Sequence, residues 1–355
     1  MLTKDKVLEA LSQVIEPDLR KDLVSLGMIE NLSIQDRKVR FTIVLTTPAC
    51  PLKDFMANAC VNAITLLVDK GAEVTVDFIS RVNTVRQESE VLRGVKNIIA
   101  VASGKGGVGK STVASNLALS LAQEGAKVGL LDADIYGPSI PTLFGVMEAP
   151  EMREENGKTL MIPIERAGIK LLSIGFMMQP GQAVVWRGPM ISSAIRQFMN
   201  DVAWGELDYL IIDLPPGTGD IHLTLAQQFP ITGAVIVTTP QEMALTDARK
   251  AIGMFRMQGA TVPIIGVVEN MSYFSPEDQP EKKYFLFGQG GGEKLSMEMQ
   301  LPLLGEIPFI QAVREAGDAG ISALGKNKDY SSAFANFAGN VARQIAVKNA
   351  GLASK

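Results

Sequence analysis

The sequence predicts an α/β fold, a mostly parallel sheet flanked by helices and preceded by a smaller α/β domain. Three observations carry this. Apolar runs of strand length recur between helical segments at residues 127–132, 170–174, 209–213, 234–239 and 264–269, the alternation that builds parallel sheets. Another apolar run, 97–103, passes through a glycine-rich stretch into a pattern where Val113, Leu117 and Leu121 recur every four residues, as on one helix face. A polar tract at 83–94 separates this region from what precedes it and reads as a linker. The expected organisation is a small domain at 1–85, a linker at 86–95 and a large domain at 96–355, and a length of 355 residues suits two domains.

In the small domain, Val7, Leu8, Leu11, Val14 and Ile15 have helical spacing over 4–15. Residues 39–45 alternate as a half-buried strand; 55–67 read as a helix and 73–78 as a strand. Hydrophobic content of 46% and charged content of 20% are ordinary for a globular protein. Residues 1–95 hold 12 basic and 13 acidic residues and the remainder 22 and 25, so neither part is a basic module and no nucleic-acid partner is expected. No run approaches 18 apolar residues, and the tail at 334–355 makes no strong amphipathic anchor, so no membrane partner is expected either. The charged, amphipathic start does not read as a signal peptide, and two cysteines cannot build a disulfide framework; a reduced, cytoplasmic setting is the expectation.

Residues 104–111 read Gly-Lys-Gly-Gly-Val-Gly-Lys-Ser and satisfy the P-loop pattern G-x-x-x-x-G-K-[ST]. Glycines let backbone N–H groups turn inward around nucleotide phosphates, and the following helix adds the positive end of its dipole. The phosphate-binding set is Gly104, Lys105, Gly106, Gly107, Val108, Gly109, Lys110, Ser111 and Thr112. Lys110 reaches the β/γ-phosphates and the Ser111 hydroxyl serves Mg²⁺. This makes the large domain a P-loop NTPase with ATP and Mg²⁺ as expected cofactors. Ligands of such sheets lie at the carboxyl ends of strands. There stand Asp132-Ala-Asp134, then Asp213 closing an apolar run ahead of Leu-Pro-Pro-Gly-Thr-Gly-Asp220, then Glu269-Asn270. Asp213 has the Walker B position for holding Mg²⁺, with Gly217 and Gly219 in a loop able to move. Asp134 suits orienting the attacking water or capping a helix. The Asn270 amide suits the adenine edge or a turn.

Lys105, inside the loop, resembles the deviant Walker A lysine of MinD/ParA-like ATPases. That resemblance implies a homodimer in which Lys105 acts on the partner's nucleotide. Glu16-Pro-Asp-Leu, Thr46-Thr-Pro-Ala-Cys-Pro51, residues 132–141, Trp186-Arg-Gly-Pro-Met190, residues 213–220 and Thr238-Thr-Pro-Gln241 resemble the Mrp/ApbC family of iron–sulfur carrier ATPases along essentially the whole chain. The resemblance implies Mg²⁺-dependent ATP hydrolysis coupled to holding a cluster and delivering it to apoproteins or assembly factors. It also puts Pro308 near the adenine, and gives Lys105, Lys110 and Asp134 as the catalytic set. Two other classes remain open: an ATP-switched scaffold without its own cluster, and a MinD/ParA-type positioning ATPase.

One departure bears on cargo. Many members carry Cys-x-x-Cys after the Asn-Met-Ser-Tyr-Phe segment; here no cysteine follows Cys60, and Ser275 and Asp278 stand near those positions. Their hard oxygens suit a cluster poorly. Cys50, between a strand and a helix start, is the candidate cluster ligand, its place being one that lowers and exposes a thiol; a buried packing role is the alternative. Cys60, with Met56 and Ile64, reads as core. His222, the sole histidine, reads as packing or capping rather than catalytic, and Arg187 as a phosphate or partner contact or a surface ion pair. Met177, Met178, Met254 and Met257 are expected to fill core gaps.

Overall fold

The computed structural model describes residues 2–86, 91–155, 157–177, 188–257, 262–276 and 278–353. Arg187 and Met178 lie outside the described residues. The chain divides into two compact units, one of residues 1–85 with 342–355 and one of residues 86–341.

The smaller unit begins with α1 (Lys4–Leu11), capped by the Thr3 side chain accepting from Lys6 N. The helix stops at Leu11, short of residue 15, because Ile15 and Glu16 form a short strand β1 paired with β2 (Lys21–Asp22). Then come β3 (Ile29–Gln35), β4 (Lys38–Leu45), α2 (Lys53–Leu67) and β5 (Glu73–Ser80). β4 pairs antiparallel with β3 and parallel with β5, with α2 as the crossover. β3 was not read from sequence, although Leu32 and Ile34 alternate with exposed Asn31, Ser33 and Gln35; its inward residues are only half-buried. Val7, Leu11, Phe41, Ile43, Met56 and Ile64 close the core, each worth roughly 1.5–3 kcal/mol by area. Residues from Ala342 onward group here: Arg343 pairs with Asp18, and Asn349 Nδ2 donates to Asn83 O at 2.8 Å.

The larger unit starts with β6 (Val95–Ala102), α3 (Lys110–Gln123), β7 (Val128–Asp132) and α4 (Ile140–Phe144). A hairpin of β8 (Glu151–Glu155) and β9 (Lys158–Ile162) leads to β10 (Ile164–Arg166), β11 (Ile169–Ser173) and a 3₁₀ turn (Ile174–Met177). Next are α5 (Gly188–Asn200), β12 (Leu207–Asp213), α6 (Asp220–Gln228), β13 (Gly233–Thr238), α7 (Glu242–Phe255) and β14 (Ile264–Phe274). The unit continues with α8 (Gly291–Met299), β15 (Leu303–Phe309), α9 (Gln311–Asp318) and α10 (Lys328–Ala353), whose last part joins the smaller unit. Among the described residues the sheet has eight strands in the order β10-β11-β7-β12-β6-β13-β14-β15, all parallel except β10. The buried core spans the sheet, from Ile98, Leu131 and Ile212 to Trp204, Ile236 and Phe255. Leu92 and Val95, inside the expected linker, are already core residues of this unit. Met254 is buried, but Met177 and Met257 are 46% and 58% exposed, which corrects their expected core role. No helix of the described residues is long and apolar enough to cross a membrane.

Glu269 ties α8 to the sheet. It is buried at the end of the regular part of β14, and its carboxylate accepts from Gly292 N at 2.5 Å, meeting an otherwise free N–H in the first turn of α8. Burial nevertheless outweighs these donors and raises its pKa, with Glu306 on β15 adding repulsion. For an acid with a raised folded pKa, the stabilising contribution is complete below the ordinary value of 4.5 and is lost as pH rises through the folded value. Glu269→Gln keeps an acceptor for Gly292 and cannot ionise. Melting curves from pH 4 to 8 should therefore show wild type losing stability relative to the variant as pH rises; parallel curves would contradict this account.

Candidate nucleotide-binding site

Strand order assembles the site. β6 lies between β12 and β13, and β12 between β6 and β7, with Val101, Asp213 and Asp132 in register across three neighbouring strands. The loop after β6 is the glycine-rich one. Gly107 and Gly109 have φ of 83° and 80°, a conformation that favours glycine, and Gly109 is the N-cap of α3. Gly104 is required by proximity: a Cβ there would lie 2.1 Å from the Asp247 carbonyl of α7.

Lys110 begins α3 and is only 6% exposed. Its Nζ lies 2.6 Å from Asp213 Oδ1, 3.4 Å from Asp134 Oδ2 and 3.4 Å from Ser111 Oγ. A buried ammonium is tolerable only with such partners. Asp213 is fully buried; desolvation raises its pKa, and the Lys110 charge opposes the rise. Its second oxygen, Oδ2, is buried without a hydrogen-bond partner. An orphaned carboxylate oxygen near the Ser111 hydroxyl is an all-oxygen donor set, which fits a hard divalent cation such as Mg²⁺.

Asp132 sits in the next strand and does not touch Lys110. Its carboxylate accepts from Ser173 Oγ at 2.9 Å, Asp134 N at 3.1 Å and Ile140 N at 3.2 Å. Burial and the neighbouring Asp213 charge push its carboxyl up to about 7, while these three donors favour the anion. Ser173 was missed from sequence. It lies inside the apolar run 170–174, and only the structure shows that β11 ends on it.

The phosphate cradle is a recess of about 330 Å³ lined by Lys105, Gly107, Lys110, Ser111 and Asp134 among others. A second cavity of about 400 Å³ adjoins it, sharing Gly109, Thr112 and Leu143, and is lined by Asn270, Pro308 and Phe309. The structure thus brings Asn270 and Pro308 to one cavity beside the cradle. Asn270 also acts on the loop itself. Its Nδ2 donates to Val108 O at 2.8 Å, gripping the loop from beneath, and Met271 adopts φ 55° to aim it. Lys105 is half-buried, and its carbonyl accepts from Ser103 Oγ at 2.9 Å. His222 is buried with its ring edge-on to Phe255 at 6.2 Å, and burial lowers its pKa, leaving it neutral.

Two family models match the chain. One, described as an iron-sulfur cluster assembly protein, covers residues 4–77; the other, described as NUBPL iron-transfer P-loop NTPase, covers residues 94–346. The chain belongs to the NUBPL iron-transfer P-loop NTPase family. It is 50% identical over 351 residues to the iron-sulfur cluster carrier protein of Synechocystis sp., covering 98% of both. It is 40% identical to that of Haemophilus influenzae, over 96% of this chain and 92% of the relative. It is also 44% identical to the chloroplastic Fe-S cluster assembly factor HCF101 of Oryza sativa, over 97% of this chain and 64% of that protein. Among solved structures, the nucleotide-binding protein of Archaeoglobus fulgidus in complex with ADP matches with a TM-score of 0.57 and 40% identity, over 68% of this chain and 93% of that one.

The cysteines require a correction. Cys50 is half-buried, and its pKa is raised, not lowered: desolvation dominates, and Glu16 and Asp18 add to it, against a backbone donor at Leu52 and the Arg343 charge. Its place before α2 does lower the thiol through Leu52, but desolvation and the two nearby carboxylates outweigh that. Cys60 is fully buried, its thiol pushed up to about 12 by desolvation. Ser275 and Asp278 lie in the loop closed by the backbone exchange of Phe274 and Tyr284, and no group of three potential metal ligands occurs among the described residues. Since the thiolate is the nucleophile, iodoacetamide at pH 7.5 should label Cys50 more slowly than an unhindered free thiol, and Cys60 only after unfolding. Fast labelling of native Cys50 would contradict the assigned environment.

Proposed function

We propose that this chain is a Mg²⁺-dependent ATPase that carries iron–sulfur clusters and passes them to apoproteins, working as a homodimer in the cytoplasm. The observation that supports it best is the buried Lys110 held between Asp213 and Asp134 beside a glycine-rich loop, in a chain matching the two family models over residues 4–77 and 94–346. Phosphoryl transfer asks mainly for positioning and charge stabilisation. Lys110 and the loop amides of 104–112 bind the phosphates, and an entering phosphate competes with the two carboxylates for the ammonium. Ser111 and Asp213 hold Mg²⁺, which when bound neutralises phosphate charge. Asp134, released from Lys110, orients the attacking water. Lys105 stabilises charge on the partner's nucleotide. Asn270 and Pro308 border the base.

Cargo is the cluster, and one half-buried thiol per chain, Cys50, is the available soft ligand. Two chains supply two thiolates, and a client apoprotein completes the set. The lack of any cysteine after Cys60 also favours a second reading, an ATP-switched scaffold that holds clients without a cluster of its own.

Lys110→Ala should abolish ATP turnover in a phosphate-release assay; unchanged turnover would sink the site assignment. Anaerobic reconstitution, with iron and sulfide counted per dimer, separates the two readings. Cluster in wild type and none in Cys50→Ala supports the carrier, and none in either, with a client present, supports the scaffold.

A further inference from the structure

The geometry points to Asp132 and Ser173 as a positioning pair for hydrolysis, a clamp that fixes the loop carrying Asp134. The inference rests on the reading of Asp134 as the group that orients water. One carboxylate pins both ends of residues 134–140. Asp132 Oδ1 accepts from Asp134 N at 3.1 Å, and Oδ2 accepts from Ile140 N, the first residue of α4, at 3.2 Å. Within the loop, Asp134 Oδ1 accepts from Gly137 N at 3.3 Å. Ala133 N donates to Asp213 O at 2.9 Å, tying the loop's root to β12.

The third contact to Asp132 comes from another strand. Ser173 Oγ, at the end of β11, donates to Asp132 Oδ2 at 2.9 Å. The same oxygen accepts from Gly175 N at 3.0 Å, which leaves the hydroxyl proton for the carboxylate. Gly175 allows the close fit: a Cβ there would lie 2.8 Å from Pro141 Cγ and 3.1 Å from Pro138 Cβ. Asp132 and Ser173 are both fully buried, so water does not replace a lost bond cheaply. Neither side chain touches Lys110 or lines the phosphate cradle. Ser173 acts on chemistry through Asp132 and the backbone of Asp134, so loosening it displaces the water-orienting carboxylate and leaves nucleotide binding intact; Asp132 also faces the Asp213 charge, so its own substitution adds an electrostatic effect.

The test measures ATP turnover against ATP concentration for wild type, Ser173→Ala, Asp132→Asn, the double variant and Asp134→Ala, together with fluorescent ADP-analogue affinity and melting temperature. Ser173→Ala should lower kcat about tenfold, the scale of a buried hydrogen bond to a charged group, with KM and analogue affinity unchanged. The double variant should be no slower than Asp132→Asn alone, because the Ser173 hydroxyl acts only through the Asp132 carboxylate. Wild-type kcat in Ser173→Ala beside an inactive Asp134→Ala overturns the clamp and leaves the site reading standing. Full activity in Asp134→Ala overturns both. A parallel loss of analogue affinity, or effects of the two substitutions that multiply, reduces Ser173 to general packing and overturns the clamp. If Ser173→Ala does not fold, Ser173→Cys, which keeps the size of the side chain but only a weak donor, decides: reduced kcat with unchanged affinity supports the clamp, and unchanged kcat overturns it.

Discussion

The larger unit is organised around one buried charge. The Lys110 ammonium cannot remain in a protein interior unpaired, and it is compensated by Asp213 at 2.6 Å and Asp134 at 3.4 Å. That requirement fixes which strands must be neighbours. β6 has to deliver the loop and helix that carry Lys110, β12 has to end on Asp213, and β7 has to lie beyond β12 so that Asp134 reaches over. The same ammonium lines the glycine-rich recess, so the charge that the two carboxylates balance also faces the cavity.

The far side of the cradle obeys a similar economy of polar groups. Glu269 and Asn270 are adjacent in β14, and alternation sends them to opposite sides of the strand. Glu269 caps α8 through Gly292, and Asn270 holds the Val108 carbonyl of the loop. The positive φ of Met271 and the register shift between Asn270 and Phe274 mark where β14 leaves regular pairing to do this. Each group would be costly if buried alone; paired, they fasten a helix and the phosphate loop to the same strand.

Cargo chemistry is set by desolvation. Cys60 is sealed in the core of the smaller unit and chemically silent. Cys50 is half-buried, and desolvation first, then the nearby Glu16 and Asp18 charges, keep its thiol protonated. A soft metal would shift that balance by binding the thiolate directly. Both cysteines of the sequence, Cys50 and Cys60, belong to the smaller unit.

Sequence by itself determined the α/β class, the phosphate loop, the strand-end carboxylates Asp132, Asp134 and Asp213, and the core role of Cys60. These are local statements, because hydrophobic period, glycine placement and the polar residue that closes an apolar run are all written in neighbouring positions. It missed β3, whose alternating inward residues are only half-buried, the exposed β8–β9 hairpin, and β15, whose alternation is weak. It also misjudged the Cys50 thiol, whose environment comes from Glu16, Asp18 and Arg343, the last of these far along the chain. Only tertiary structure decided that Ser173 meets Asp132, that Asn270 grips Val108 and that Lys110 rests between two carboxylates. Those contacts join strands and loops tens to hundreds of residues apart, and strand order, which the local pattern does not encode, sets which of them meet.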